Sequence, residues 1–125
     1  MRESPVPPRT SQPAPGDFRR QYQYLASHYS DVVSINLTSA ASGTYEAARA
    51  AAARTDAPGK VHVINSLNAS VGQGLLVVFA AECSAAGVSA QATIAAVESL
   101  IPATHTYGVL EDLDYAVRGG RIPKW

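Results

Sequence analysis

The chain of 125 residues is long enough for one domain with one hydrophobic core. Its hydrophobic fraction of 46% is typical of a globular protein, and its ten basic and ten acidic side chains give a net charge of zero. That balance gives no electrostatic basis for binding nucleic acid or an anionic membrane, so neither is expected as a partner. The longest apolar run, Gly74 to Ala81, is too short to span a bilayer.

One cysteine, Cys83, lies in an apolar run and excludes a disulfide within the chain. The first residues, Met1-Arg2-Glu3, lack the apolar stretch of a signal peptide. We therefore expect a cytoplasmic protein in a reducing compartment, with Cys83 as a small residue of the core.

The first predicted element is a helix from about Gly16 to His28, after a proline-rich start. Pro15 suits the first helical position, because the N–H that it lacks would have no intrahelical partner there. One stripe of this helix carries large side chains, and we expect them to pack in the core. They are Phe18, Tyr22, Leu25 and Tyr29.

A strand, a loop and a helix follow, and they contain the main candidate site. Asp31 to Leu37 alternates apolar and polar residues, which predicts a strand. Thr38, Ser39 and Ser42 then offer hydroxyl groups. The Ala-rich run from Tyr45 to Arg54 favours a helix, which is predicted from about Gly43 to Arg54. Such a helix points free N–H groups and the positive end of its dipole at the loop, which outlines an anion site. The alternative is that Ser39 or Ser42 only caps the helix.

A second strand is predicted over Val61 to Ile64, after the turn at Pro58-Gly59. Two strands joined by a helix should be parallel, with a right-handed crossover. His62 lies within this strand and is interpreted as a structural residue. The order of the strands in the sheet stays open.

Two successive helices are predicted next. The first, Val71 to Ala85, is apolar almost all round, so we expect it to be buried on most sides. Ser70 and Gln73 have the spacing of a capping box at its start. Gly87 can end it, and Ser89 can cap the second helix. That second helix has an apolar stripe formed by Ile94, Val97 and Ile101.

The C-terminal part predicts a third strand and a short helix. Thr104 to Leu110 alternates, which places three larger side chains on one face of the strand. They are His105, Tyr107 and Val109. A short helix is predicted over Asp112 to Val117. The glycine pair in Arg118-Gly119-Gly120-Arg121 would end it, with basic residues near its C-terminal end.

Four stretches of the chain form an ordered pattern. They are Thr10-Ser11-Gln12-Pro13, the loop run LTSAASGTYEAA, the run VINSLNASVGQGLLV from Val63 to Val77, and Arg118-Gly119-Gly120-Arg121-Ile122. Together they resemble the DegV family of bacterial fatty-acid-binding proteins, over about Pro8 to Pro123. The resemblance implies an α/β fold with a layered, mostly parallel sheet and flanking helices, like the first domain of that family.

The resemblance also implies that residues 1–125 form an incomplete version of that domain. The chain is less than half of a usual family member, and it lacks the strand that opens the first domain as well as the whole second domain. Two positions depart from the family pattern. Asn65 stands where the family usually has Asp, and Ala14 stands where it often has Ser.

The function implied by the resemblance is lipid binding rather than catalysis. Family members hold one long-chain fatty acid, bury its acyl chain and present its carboxylate near the surface. The residues that match the head-group contacts are Thr10 and Ser42, with the backbone at Gly43 and Thr44. Some members carry the substrate of a fatty acid kinase, so a kinase subunit is a candidate partner. No cofactor, metal or catalytic residue is expected.

A second interpretation is a small α/β hydrolase or transferase with Ser42 as nucleophile. A nucleophilic serine needs a base within reach and a third group that orients the base. The chain has three histidines, but their spacing singles none of them out. They are His28, His62 and His105. A third interpretation is a truncated open reading frame whose product is merely a partial domain.

Overall fold

The computed structural model describes residues 9–122, which form two compact units. The larger unit is Gln12–Thr106, and the smaller one comprises the described residues 9–11 and 107–122. The larger unit consists of α1 (Pro15–His28), β1 (Val32–Asn36), α2 (Thr44–Ala53), β2 (Val61–Asn65), α3 (Ser70–Ala85), α4 (Ala90–Leu100) and a 3₁₀ turn (Ile101–Ala103). The smaller unit contains α5 (Asp114–Arg118).

The two strands of the larger unit form a parallel pair. Their register runs from Val32 opposite Val61 to Asn36 opposite Asn65. The connection between them contains α2, as a parallel pair requires. Because the strands run in the same direction, their carboxyl ends lie side by side, and the loops that leave them begin at one edge of the sheet.

Helices pack against both faces of this sheet. Successive side chains of a strand point to opposite faces, so neighbouring residues of β1 enter different clusters. Val32 packs with α1 and α2, whereas Val33 and Ile35 pack with α3 and α4. The buried residues of the first cluster are Tyr22, Ala26, Val32, Ala48 and Ala51, and those of the second are Ile64, Leu76 and Val97. The layered α/β architecture with a parallel sheet and flanking helices is therefore confirmed.

The first two helices agree closely with the sequence pattern. α1 begins one residue earlier than predicted, at Pro15, and α2 is one residue shorter at each end. Ala48 and Ala51 of α2 are fully buried against α1. Their small side chains allow close packing and lose no rotamer freedom on burial. In α1 the predicted stripe is wrong at one position, because Tyr29 follows the helix end and is largely exposed.

The predicted third strand is wrong. Within residues 9–122 the sheet contains two strands, and residues 104–110 have no regular structure. A strand needs a neighbouring strand for its hydrogen bonds, and this alternating segment bonds to a side chain instead. The Asn68 amide donates to the Thr104 carbonyl at 3.0 Å and accepts from the Thr106 hydroxyl at 2.9 Å. Val109 is 99% exposed, so the predicted apolar face of this segment does not enter a core.

The predicted burial of α3 is also wrong. Leu76 and Gly72 are its buried residues, whereas Val71, Leu75 and Val78 are 70%, 62% and 55% exposed. The latter three follow one another at four and three residues, which is the spacing of one helix face. Hydrophobicity on all sides of a helix therefore does not mean packing on all sides here. Cys83, also on α3, is half-buried rather than enclosed in the core.

Of the capping residues predicted for α3 and α4, some agree with the structure and others do not. Ser70 and Gln73 do not form the predicted capping box. Ser70 is the first residue of α3 with a φ of 49°, and the Gln73 amide donates to the Ile35 carbonyl at 3.0 Å. Ser89 caps α4 as predicted, because its hydroxyl accepts from the backbone N–H of Ala92 at 3.3 Å. Gly87 follows the end of α3 with a φ of 77°, as expected of a glycine at that position.

The smaller unit contains one short helix. α5 begins two residues later than predicted and ends one residue later. Gly119 follows it. The N–H of Arg121 donates to the carbonyl of Ala116 at 2.9 Å, which closes the helix end as the glycine pair predicts. Across residues 9–122, no helix has both the length and the apolar character needed to cross a membrane.

Candidate functional site

The candidate site lies at the carboxyl ends of β1 and β2. Residues 37–43 connect β1 to α2, and residues 66–69 connect β2 to α3. In open α/β sheets, ligands bind outside the carboxyl ends of the strands. These two loops are therefore the place where a ligand of the larger unit is expected.

Two hydroxyl groups form a pair at the start of α2. The Ser42 hydroxyl lies 2.8 Å from the Thr44 hydroxyl, and it accepts from the Thr44 backbone N–H at 3.2 Å. One hydroxyl proton satisfies the contact between the two oxygens, whereas the pair carries two protons. One proton of the pair is thus left to donate to a further acceptor. Ser42 is not the capping residue that the alternative interpretation predicts, because Gly43 holds the capping position and no side-chain bond caps the helix.

Gly43 has a steric role between this pair and the preceding motif. A Cβ atom at this position would lie 2.8 Å from Nε2 and 2.9 Å from Oε1 of Gln12. The backbone φ of Gly43 is −72°, a value that any residue can adopt. The constraint at this position is therefore one of space, set by the end of the Gln12 side chain, and not one of backbone conformation. Gly43 lets the Gln12 amide lie directly over the start of α2.

The side chain of Asn65 joins the two loops. Its Oδ1 accepts from the backbone N–H groups of Ser39, at 3.2 Å, and Leu67, at 3.3 Å. Its Nδ2 donates to the Ser39 hydroxyl at 2.8 Å. One amide group thus holds both the turn after β1 and Leu67, the second residue after β2. Leu67 has a left-handed φ of 52°.

Asn68 gives the second connection between the loops. Its backbone carbonyl accepts from the N–H of Thr38 at 2.8 Å and from the hydroxyl of Ser66 at 2.9 Å. Asn68 and Ser66 are both buried. Gly72 lies close by, and a Cβ there would be 2.9 Å from Oδ1 of Asn68. Backbone and side-chain hydrogen bonds therefore connect the two loops at this edge.

Thr10 lies in the smaller unit and has a basic neighbour there. Its hydroxyl oxygen accepts from Nη2 of Arg121 at 3.3 Å. Arg121 also donates to the carbonyl of Gly119. The sequence pattern had singled out Thr10 and the Arg118-Gly119-Gly120-Arg121 stretch separately. It had no signal that they meet, because 111 positions separate the two residues.

The predicted head-group residues fall in both units. Ser42, Gly43 and Thr44 lie together at the start of α2 in the larger unit, whereas Thr10 lies in the smaller one. Their joint action on one ligand therefore stays a prediction. Asn65 departs from the family pattern, but nothing in the sequence alone indicates that its side chain connects the two loops.

The hydrogen bonds of Ser42 do not resemble those of a nucleophile. Its partners are the hydroxyl and the N–H of Thr44, neither of which is a base. His62 bonds to Oδ1 of Asp31 at 2.9 Å, at the opposite end of the strands, and His28 bonds to Ser27 and to the Tyr24 carbonyl. Among the side chains of residues 9–122, no group of three or more His, Cys, Asp or Glu could hold a metal ion.

The fold and these loops define an α/β protein with a hydroxyl-rich loop at the carboxyl ends of two parallel strands. The family model described as uncharacterised protein, DegV family, matches residues 1–125. The chain therefore belongs to the DegV family.

Relatives and solved structures agree with that assignment. A DegV domain-containing protein of Caldanaerobacter subterraneus is 34% identical over 124 residues, which are 99% of this chain and 44% of the relative. A DegV family protein from Thermus thermophilus, described by its fatty acid binding, has a TM-score of 0.84 at 34% identity, over 95% of this chain and 42% of that one. DegV of Bacillus subtilis, described as a fatty acid binding protein, has a TM-score of 0.82 at 33% identity, over 90% of this chain and 40% of that one. The chain thus spans less than half the length of the proteins that it matches.

Proposed function

We propose that the chain is a lipid-binding protein that holds one long-chain fatty acid, with the carboxylate at the start of α2. The observation that supports this most directly is the similarity to the Thermus thermophilus protein described by its fatty acid binding, over 95% of this chain. The function belongs to the binding class, and the protein itself contributes no reaction step. Residues 1–125 would be part of a longer ligand-binding architecture.

The start of α2 has the chemistry that a carboxylate needs. The Ser42 and Thr44 hydroxyls lie 2.8 Å apart and share one proton, so the second proton can be donated to an anion. The first N–H groups of a helix have no intrahelical acceptors, and the helix dipole is positive there. Gly43 adds no side chain of its own here, and the Gln12 amide lies over the same helix start. A carboxylate can therefore accept hydrogen bonds from Ser42 or Thr44 and from the backbone.

Thr10 would contribute a further hydroxyl proton, and Arg121 beside it would contribute a positive charge. Its oxygen already accepts from Arg121 at 3.3 Å, so its own proton remains for the ligand. An arginine guanidinium is positively charged and matches a carboxylate in geometry. This pair supports Thr10 as a head-group contact, in addition to the sequence motif that contains it.

The acyl chain would supply most of the binding energy. At about 0.8 kcal/mol per buried CH₂, a long chain gains on the order of 10 kcal/mol before the costs of ordering. Exposed apolar side chains lie where α3 starts, next to the carboxyl end of β2. They are those of Leu67, Val71, Leu75 and Val78. We assign the acyl chain to this surface, because it adjoins the polar loops and needs cover from water.

A fatty acid kinase subunit is the proposed partner. Phosphoryl transfer to the carboxylate depends on alignment more than on covalent chemistry by the protein that carries it. Contacts that orient the carboxylate would therefore affect phosphorylation more strongly than they affect affinity.

The test is fatty-acid binding by the wild type, Thr10→Val and Ser42→Ala, with Ser99→Ala as control. Ser99 is an exposed helical serine whose hydroxyl bonds to the Ala96 carbonyl. A hydrogen bond to a charged group contributes about 1.5–3 kcal/mol, so each site variant should bind the acid roughly ten- to a hundred-fold more weakly. Binding of the methyl ester should change little. If the ester binds wild type as well as the acid does, and both variants bind normally, the carboxylate site does not exist.

A further inference from the structure

The orientation of the Asn65 amide is determined by its partners. Backbone N–H groups can only donate, and two of them, from Ser39 and Leu67, point at the same amide atom at 3.2 and 3.3 Å. That atom must therefore be the oxygen. It follows that the group 2.8 Å from the Ser39 hydroxyl is the amide nitrogen, which can only donate.

The consequence concerns the proton of the Ser39 hydroxyl. Since Nδ2 of Asn65 donates to this oxygen, the oxygen acts as an acceptor in that contact and its own proton points elsewhere. Within the described part of the chain, Asn65 is the hydrogen-bond partner of both the side chain and the backbone N–H of Ser39. Ser39 is exposed and lies in the same loop as Ser42. Its hydroxyl proton is thus available to an acceptor outside the carboxyl ends of the strands.

We infer that the Ser39 hydroxyl is a further donor to the anionic head group, and that Asn65 is the positioning residue that keeps its proton available. This inference rests on the proposed function, because the acceptor is the carboxylate of the bound acid. Asn65 touches no ligand atom in this scheme. It acts through its contact with the Ser39 hydroxyl. It also accepts from the backbone N–H groups of Ser39 and Leu67, which holds the turn.

An aspartate at position 65 would reverse the polarity of this contact. A carboxylate accepts but does not donate, so it would still satisfy the N–H groups of Ser39 and Leu67. It would also take the Ser39 proton, because the hydroxyl would then have to donate to it. The loop would keep its shape but lose a donor and gain a negative charge. Asn65 therefore makes the loop more favourable for an anion than Asp would.

A double-mutant cycle over Ser39→Ala and Asn65→Asp tests this role, with palmitate and methyl palmitate as the ligands measured. In the wild-type background, Ser39→Ala should weaken palmitate binding by roughly ten-fold and change ester binding by less than about two-fold. In the Asn65→Asp background, Ser39→Ala should change palmitate binding by less than about two-fold, because the proton is already taken. Ser39→Thr keeps the hydroxyl and should restore the wild-type affinity for palmitate.

Three outcomes would overturn the inference. If wild type prefers palmitate to the ester and Ser39→Ala binds palmitate normally, this inference fails while the proposed function stands. If Ser39→Ala costs the same factor in both backgrounds, Asn65 does not control the proton. If wild type binds neither ligand, the proposed function fails and this inference falls with it. Ser39→Ala and Ser39→Thr decide the first point even if Asn65→Asp does not fold.

Discussion

The Tyr22 hydroxyl lies 2.7 Å from the Ser34 hydroxyl and joins α1 to β1 inside the core. The Asn36 amide donates to the same Ser34 oxygen at 3.1 Å, so three polar side chains form a short chain of hydrogen bonds between two layers. Burial raises the pKa of Tyr22 above the ordinary tyrosine value, and the hydrogen bonds with Ser34 and Asn36 partly offset that rise. The neutral phenol is thus the form that the folded state favours.

Replacing Tyr22 by Phe should reduce the free energy of unfolding by about 1 kcal/mol at neutral pH, the usual net value of one hydrogen bond. Tyr24→Phe is the matched control, because Tyr24 lies on the same helix and is largely exposed. Urea unfolding of the three proteins gives the comparison. Equal stability of Tyr22→Phe and wild type would show that the hydrogen bond contributes nothing net.

The raised pKa of Tyr22 also predicts a pH dependence. Below about pH 10, folded and unfolded chains both hold the phenol proton, and the contribution of Tyr22 to stability is complete. As the pH rises further, the unfolded chain loses this proton first, so stability falls until the folded state loses it as well. Tyr22→Phe should therefore lose stability less steeply than wild type above about pH 10 in chemical unfolding experiments. Parallel slopes would contradict the raised pKa.

Gly43 and Gln12 give a steric prediction. Gly43→Ala would place Cβ 2.8 Å from the Gln12 amide, so the side chain of Gln12 must move away from the start of α2. Since that side chain is flexible and the φ of Gly43 suits alanine, the fold should lose less than about 1 kcal/mol. Fatty-acid binding should weaken, because the new methyl group and the displaced Gln12 side chain both change the start of α2, where the carboxylate is proposed to bind. Gly74→Ala is the control, since an added Cβ there meets no atom within 4 Å.

Two buried threonines should respond in opposite directions to the same substitution. The Thr93 hydroxyl is buried and has no hydrogen-bond partner among the described residues, whereas the Thr55 hydroxyl donates to the Ala51 carbonyl at 2.9 Å. Valine has nearly the same shape, so Thr93→Val should raise the free energy of unfolding by about 1 kcal/mol and Thr55→Val should lower it by a similar amount. A loss of stability in Thr93→Val would show that its hydroxyl has a partner.

Local patterns predicted the helices well because the signals that define them are local. Pro15 at the start of α1, the alanines of α2 and the Ser89 cap each act within a few residues. Parallel pairing of β1 and β2 followed from the helix between them. The strand predicted over residues 104–110 failed because a strand is defined by its neighbour, which the alternation of residues cannot show.

Among the contacts of the candidate site residues, only the local ones could be predicted from the sequence. Ser42 and Thr44 are two residues apart, so their pairing lies within one motif. Asn65 and Ser39 are 26 residues apart, and only parallel pairing of the two strands brings them together. For α3, composition indicated apolar surface correctly but could not tell which side of the helix packs. Burial depends on the partner surface, which is a property of the fold.

The exposed apolar face of α3 leads to a prediction about association. Val71, Leu75 and Val78 form one stripe in contact with water, and such surfaces promote association. Without lipid, the purified chain should therefore self-associate, and its thermal unfolding should lie below about 70 °C, within the range of ordinary domains. Leu75→Lys should shift the chain toward the monomer in light scattering. Because the same face is proposed to cover the acyl chain, this variant should weaken binding of the acid and the methyl ester equally, unlike the head-group variants.

The control for that experiment is Gln91→Lys, which adds the same charge at an exposed position of α4 outside the stripe. It should leave both association and lipid binding unchanged. Leu76→Lys is a second comparison, on the packed side of the same helix. Leu76 is 2% exposed, so a buried unpaired charge there should prevent folding. Fatty acid added to wild type should reduce association, since lipid and a second copy compete for one surface. A monomeric wild type that melts sharply above about 70 °C without lipid would show that this face needs no cover.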